Sequence, residues 1–325
     1  MAHWSEEKEK ARSLWPMKIL FYSYKYFGKA FFRLLLHPVV LFFFIFAPPT
    51  RKISRAYLER VHKKNGEEGK VRLSEIYWHI FSFSYALLEK QSAWAGDMSA
   101  RELLEVTPDI DVLKDQLREK KGAVIIGSHL GNIEMLRAFA SLEEGSHIPE
   151  FGIHSVVDFA GTAQFNRLLK EINPQSMVQL VNASDIGADT IIRLQEGIER
   201  GDLVIIAGDR TAKNNRGKST RVDFLGEKAS FPTGAFILAS LLEGPVYYMF
   251  ALRTNDRDLK SPYEFHVYKS AHELGKSRRE RKQNIEKVTK EYVSHLESLC
   301  LKHPYQWYNF FNFWEAVDSE KGEDK

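Results

Sequence analysis

Apolar positions along the chain fall into two regimes. Up to about residue 95 they recur with helical spacing in long segments rich in aromatic rings; beyond residue 120 they form short continuous runs between amphipathic stretches. Residues 14–36 read as one helix. In it Lys18, Lys25, Lys29 and Arg33 fall at about 0°, 340°, 20° and 60°, one basic stripe opposite a broad aromatic and aliphatic surface. Residues 34–50 contain no Asp, Glu, Lys or Arg but are punctuated by His37, Pro38, Pro48 and Pro49. The run is short of the roughly 20 residues a span needs, and it reads as a hairpin dipping into one leaflet or as a marginal span extended by the aromatic helix before it. A basic polar stretch, 51–72, ends in a turn at Asn65-Gly66. Another aromatic helix is predicted over 73–94, and a charged helix over 109–121.

From residue 123 the pattern alternates. Strands are predicted over 123–127, 151–157, 177–181, 203–207, 246–252 and 264–268. Helices are predicted over 132–142, 164–172, 185–200, 233–242 and 277–301, with a polar loop between 207 and 233. Strands alternating with helices imply an α/β fold with a mainly parallel, helix-covered sheet, whose catalytic groups gather at the C-terminal ends of strands. Two regions follow: a basic, aromatic, membrane-associated helical part, 1–72, and an α/β body, 73–325.

Composition narrows this picture. Of 325 residues 44% are apolar and 27% charged, which suits a globular chain and excludes wholesale disorder. The single cysteine, Cys300, excludes an internal disulfide framework and makes a reducing compartment the default. The net charge of +3 hides an asymmetry. Residues 1–72 hold fifteen Lys and Arg against six Asp and Glu, a net +9, while the remainder holds 31 against 37. A basic aromatic part on an acidic body suits an anionic lipid surface. Nucleic acid is disfavoured, because the lysines form one narrow stripe and the aromatics are mixed with aliphatic residues. The leading segment is long and acidic (Glu6, Glu7, Glu9), which makes a poor signal peptide.

Candidate chemistry begins at Gly127-Ser128-His129-Leu130-Gly131-Asn132-Ile133-Glu134. Eleven His and 43 acids in 325 residues make one His–acid pair at this spacing an expectation of chance, so its context has to do the selecting. Five residues apart on one helix, the two side chains would diverge by about 140°. They meet only if His129 lies on the strand-to-helix turn, where Gly127 and Gly131 supply backbone freedom. A His so placed can act as general base, with Glu134 fixing its tautomer. A surface His beside a helix start is the plain alternative. A second run, 203–207, ends in Gly208-Asp209-Arg210, which could share the rim; Arg210 suits a phosphate or an oxyanion, or simply pairs with Asp209 to order a loop. A third, Phe231-Pro232-Thr233-Gly234, leads straight into a helix and offers backbone N–H groups to an anion, although Pro near a helix start is ordinary. No HExxH, CxxC or clustered His/Cys argues for a metal hydrolase, and neither a GxSxG elbow nor a Walker loop is present. The aromatic tail 305–314 reads as an acyl-chain wall, a membrane-docking ridge or core. The basic helix face at Arg278, Arg279, Arg281 and Lys282 reads as solvated or as a dock for an acidic carrier protein.

The His129–Glu134 motif after a strand resembles the HX4D/E motif of bacterial lipid A biosynthesis (late) acyltransferases, within the wider glycerolipid and lysophospholipid acyltransferase group. Gln164-Phe165-Asn166-Arg167-Leu168-Leu169, Ala207-Gly208-Asp209-Arg210, Val222-Asp223-Phe224-Leu225-Gly226 and Phe231-Pro232-Thr233-Gly234 resemble its later blocks, over roughly residues 110–260. Arg follows Asp209 where those enzymes commonly have Gln, and the tail aromatics resemble divergent relatives in polyene-lipid and aminolipid pathways. The resemblance implies transfer of a fatty acyl chain from acyl carrier protein or coenzyme A to a hydroxyl or amine of a membrane lipid, at the cytoplasmic face of a bacterial inner membrane. By the resemblance His129 is the base and Glu134 its orienting acid; Arg210, Asp209, Asn132, Arg167, Phe231, Thr233 and Gly234 bind substrate; no metal or other cofactor is needed. A lipid-binding protein without catalysis and a lipid hydrolase are the rival expectations.

Overall fold

The computed structural model describes residues 15–95, 103–133, 135, 149–157, 178–210, 219–274, 278–310 and 313–314. Three helices come first: α1 (Trp15–Phe46), α2 (Pro48–Asn65) and α3 (Leu73–Ala95). Most of the apolar run 34–50 extends the aromatic helix before it, the second of the two readings. It is the end of one long helix that carries Pro38 inside it and bends by 93° into α2. Proline removes one helical hydrogen bond. The helix continues because Leu36, Val40 and Phe44, spaced by four, pack on the core beside α3, and His37 stacks on Phe81 at 4.3 Å. At the bend, Pro48 and Pro49 open α2, where a missing N–H costs nothing. The Arg51 guanidinium donates to the Phe44 carbonyl and, at 2.8 Å, to that of Ile45, satisfying the last carbonyls of α1. Residues 51–65, read from sequence as a polar stretch, are helical and bury Tyr57, Leu58 and Val61; the expected turn is at Gly66.

The body holds a seven-stranded sheet. Its strands are β1 (Leu103–Glu105), β2 (Ala123–Gly127), β3 (Ile153–Val157), β4 (Val178–Asn182), β5 (Leu203–Ala207), β8 (Val246–Arg253) and β9 (Tyr263–Lys269), in the order β1-β9-β8-β2-β5-β3-β4. Every neighbouring pair is parallel except β8 with β9. Its helices are α4 (Asp109–Arg118), α5 (Ala188–Arg200), α6 (Gly234–Leu241) and α7 (Arg278–Lys302). The helix expected over 164–172 and nearly all of that over 132–142 lie outside the described residues.

Both faces of the sheet are covered, which explains the continuous apolar strands. Val124, Ile126, Val204, Ile206, Tyr248 and Phe250 face a core shared with α2, α3, α6 and α7; Ala123, Ile125, Leu203, Ile205, Tyr247 and Met249 face α4. The polar loop expected before residue 233 is instead partly a hairpin, β6 (Ser219–Phe224) with β7 (Glu227–Pro232). Its two-residue turn places Leu225 and Gly226 at φ 52° and 80°, conformations that favour Gly at the second position.

Candidate active site

Register brings the site together. Gly127 pairs with Ala207 in the parallel β2–β5 ladder, so His129 and Asp209 each stand two residues beyond a matched pair at strand C-termini. The Gly208 N–H donates to the Gly127 carbonyl at 2.9 Å and keeps the two chains in step past the ladder. His129 Nδ1 lies 2.8 Å from Asp209 Oδ1, and the His129 backbone N–H donates to Asp209 Oδ2 at 2.9 Å. One carboxylate thus holds both the ring and the backbone of His129.

Asp209 is fully buried, whereas 29% of the His129 side chain is exposed. Burial by itself would raise the Asp209 carboxyl. The His129 ring, its backbone N–H and the adjacent Arg210 outweigh that effect and hold the carboxyl below its ordinary value. A third donor comes from the tail: Trp307 Nε1–H reaches Asp209 Oδ2 at 3.1 Å. The carboxylate is ionised, hydrogen-bonded on both oxygens and fixed in place.

The tail also holds the backbone of the turn. Tyr308 N–H donates to the His129 carbonyl and Gly131 N–H to the Gln306 carbonyl, both at 2.8 Å, a short antiparallel pairing beyond the end of β2. Asn132 N–H donates to the Ala251 carbonyl at 2.9 Å. Gly131 has φ 73°, and a Cβ there would stand 2.0 Å from the Ala251 oxygen, so no other residue fits. Gly127, expected to share this freedom, simply ends β2 and accepts from Tyr292 OH at 2.9 Å. Arg210 donates to the Tyr308 carbonyl at 2.9 Å and to Asn309 Oδ1 at 3.4 Å. Behind this segment, His79 bridges Ser54 Oγ and the Trp307 carbonyl at 2.9 and 2.8 Å, tying α2 and α3 to the tail.

The structure therefore brings His129, Asp209 and Arg210 to one rim, with Asn132 buried beside them. Phe231 is a core residue, its ring packed on Phe224 and Phe313 and edge-on to Tyr292. Thr233 and Gly234 stand at the start of α6, and Thr233 is buried. Glu134 and Arg167 lie outside the described residues. Sequence reasoning missed Trp307 as a partner of Asp209. The aromatic tail was visible, and of its described rings Tyr305, Trp307, Tyr308, Phe313 and Trp314 are buried as core while Phe310 is half-buried against it; nothing in their spacing pointed to a carboxylate far earlier in the chain.

A mainly parallel, helix-covered sheet with an imidazole–carboxylate pair at adjoining strand ends is an arrangement able to move a proton to or from a substrate. A family model, bacterial lipid A biosynthesis acyltransferase, matches residues 5–316, and the chain belongs to that family. No curated protein matches it. The chain is thus an acyltransferase of lipid biosynthesis, an enzyme that moves acyl groups to lipid acceptors.

Proposed function

We propose that the protein transfers a fatty acyl chain from the thioester of acyl carrier protein or coenzyme A to a hydroxyl or amine of a membrane lipid, at the cytoplasmic face of a bacterial inner membrane, with His129 as general base. The observation that carries the reading is the 2.8 Å contact of His129 Nδ1 with buried Asp209. It fixes the tautomer in which Nδ1 bears the hydrogen and Nε2 accepts one. Nε2 takes the acceptor's proton as its oxygen or nitrogen attacks the thioester carbon. The tetrahedral intermediate then collapses, the C–S bond breaks, and the imidazolium returns the proton to the leaving thiolate. Ester or amide and free thiol are the products, and the acyl thioester is the sole co-substrate. Asp209 stabilises the imidazolium formed midway.

The family resemblance assigned the orienting role to Glu134. The geometry supports Asp209 as a carboxylate that also orients the ring, at Nδ1, beside the Glu134 that the resemblance assigns. Arg210, fixed by the Tyr308 carbonyl beside Asp209, is the cation for an acceptor phosphate or the oxyanion. Asn132, Arg167, Phe231, Thr233 and Gly234 are assigned to substrate binding by the resemblance. Exposed Leu34, Leu35, Phe42, Phe43 and Phe46 on α1 support attachment to the bilayer that holds the acceptor.

The test is mass spectrometry of products from the full-length protein, acyl thioester and vesicles with and without lyso-lipid acceptor. An acylated acceptor is expected, and His129→Ala should lower its formation by about 10²–10⁴-fold. Free fatty acid as the product in both reactions would make the protein a hydrolase. Wild-type rates in the variant would remove His129 from the chemistry.

A further inference from the structure

Away from this site, a second constellation of ligand-type side chains sits where α7 meets β9. Glu264 and His266 alternate along β9 and so project from one face of the strand, the face that α7 covers. His303 follows directly after α7. One ligand atom from each of the three lies within 4.8 Å of the others. His266 and His303 are buried, 6% and 3% exposed. His266 Nε2 is 3.1 Å from Glu264 Oε2.

His303 supplies the informative detail. Its Nδ1 is engaged by Asp256 Oδ1 at 3.1 Å, while its Nε2 is buried and has no hydrogen-bond partner among the described residues. A buried imidazole nitrogen without a partner costs free energy unless something binds it. Asp256 is itself held, by Tyr305 N–H at 2.9 Å and Gln306 Nε2 at 2.7 Å. A carboxylate on one nitrogen of a histidine whose other nitrogen is unsatisfied is the outer-shell arrangement of metal-bound histidines.

We propose that Glu264, His266 and His303 bind a zinc ion, with Asp256 orienting His303. Ligands about 2.0–2.2 Å from tetrahedral zinc stand roughly 3.4 Å from one another, so the cluster has to close by about an ångström. Two imidazoles and one carboxylate suit zinc and are too poor in oxygen for calcium or magnesium. Lys302 Nζ, 3.7 Å from Glu264 Oε2, opposes the ion; it is mostly exposed and can swing into solvent. The ion ties α7 to the sheet at the root of residues 305–308, the segment that pairs with His129–Gly131. Its part is structural: it clamps the tail and touches no acyl group.

Chelator-treated full-length protein titrated with zinc chloride alone, followed by calorimetry and thermal melting, tests this. One ion per chain and a raised Tm are expected. Glu264→Gln and His266→Gln should each weaken binding at least tenfold and abolish the rise in Tm, and Asp256→Asn should weaken it about 10–100-fold. Circular dichroism checks that the variants are folded, and the near-isosteric Glu264→Gln keeps the test decisive if a histidine variant is not. Cobalt chloride reports the geometry by the intensity of its visible bands. No saturable zinc binding, or binding unchanged in Glu264→Gln and His266→Gln, overturns the proposal, whatever the acyltransferase assays show.

Discussion

Asp209 illustrates how one side chain organises a site. It is buried, accepts from the ring and backbone of His129 and from the Trp307 indole, and stays ionised because those partners and Arg210 outweigh the cost of desolvation. Hydrogen bonds to a buried charge are worth about 1.5–3 kcal/mol, more than neutral ones. Trp307→Phe keeps an aromatic ring in the core and removes one such donor. Its kcat is expected to fall about ten- to a hundredfold, with KM for the acyl thioester little changed and near-ultraviolet circular dichroism retained. An unchanged kcat would reduce Trp307 to packing. The contacts of Asp209 with His129 and Trp307 were not visible from spacing. His129 and Asp209 could be placed on one rim because each follows a buried apolar run. Their pairing depends on the strand register, and the indole arrives from a tail with no sequence cue to its partner.

Elements differ in how well sequence exposes them. Strands β2 and β5 were legible to the residue, since a strand covered on both faces is a continuous apolar run ending in Gly or a polar residue. The β6–β7 hairpin was missed because only one face is buried: Val222, Phe224, Ala229 and Phe231 alternate with polar residues, and the turn is Leu-Gly in place of the usual Asn-Gly. The long α1 was legible only as one of two readings, because Pro38 obscures a helix that packing on α3 carries through. Helix α3 is joined to the tail by His79, whose burial lowers its pKa to about 4 against the opposing hydrogen bond to the Trp307 carbonyl. The sign follows directly. An unfolded His takes its proton near pH 6.5, whereas this one resists until about 4, so the unfolded state binds more protons in that window and stability falls as pH falls. The full effect is about 3 kcal/mol. Chemical denaturation between pH 7 and 4 should show the loss, and His79→Gln should flatten the part of the curve that belongs to this residue. An identical slope in the variant would mean that other groups set the acid limit.

At the scale of the whole molecule, a basic aromatic N-terminal part stands against an acidic body. No single helix among the described residues is long and apolar enough to cross a membrane, yet the bent pair Arg33–Phe46 and Pro48–Asn65 passes together, and α1 exposes Phe42, Phe43 and Phe46 at 57%, 57% and 69%. Burying a Phe is worth about 1.5–3 kcal/mol. Full-length protein should float with vesicles containing anionic lipid, less so at high salt. The triple change of these three Phe to Ser should weaken that partitioning at least tenfold; equal flotation would take α1 off the membrane.

The assembly of β2, β5 and the tail around a single imidazole is the claim on which the functional account rests. Asp209→Asn tests it most directly, because the amide keeps the shape and removes the charge that fixes the His129 tautomer. The account expects acyl transfer by the folded variant to fall about 10³–10⁴-fold while vesicle binding is retained. Acyl transfer within a few-fold of wild type, with Glu134→Gln abolishing it instead, would contradict the account.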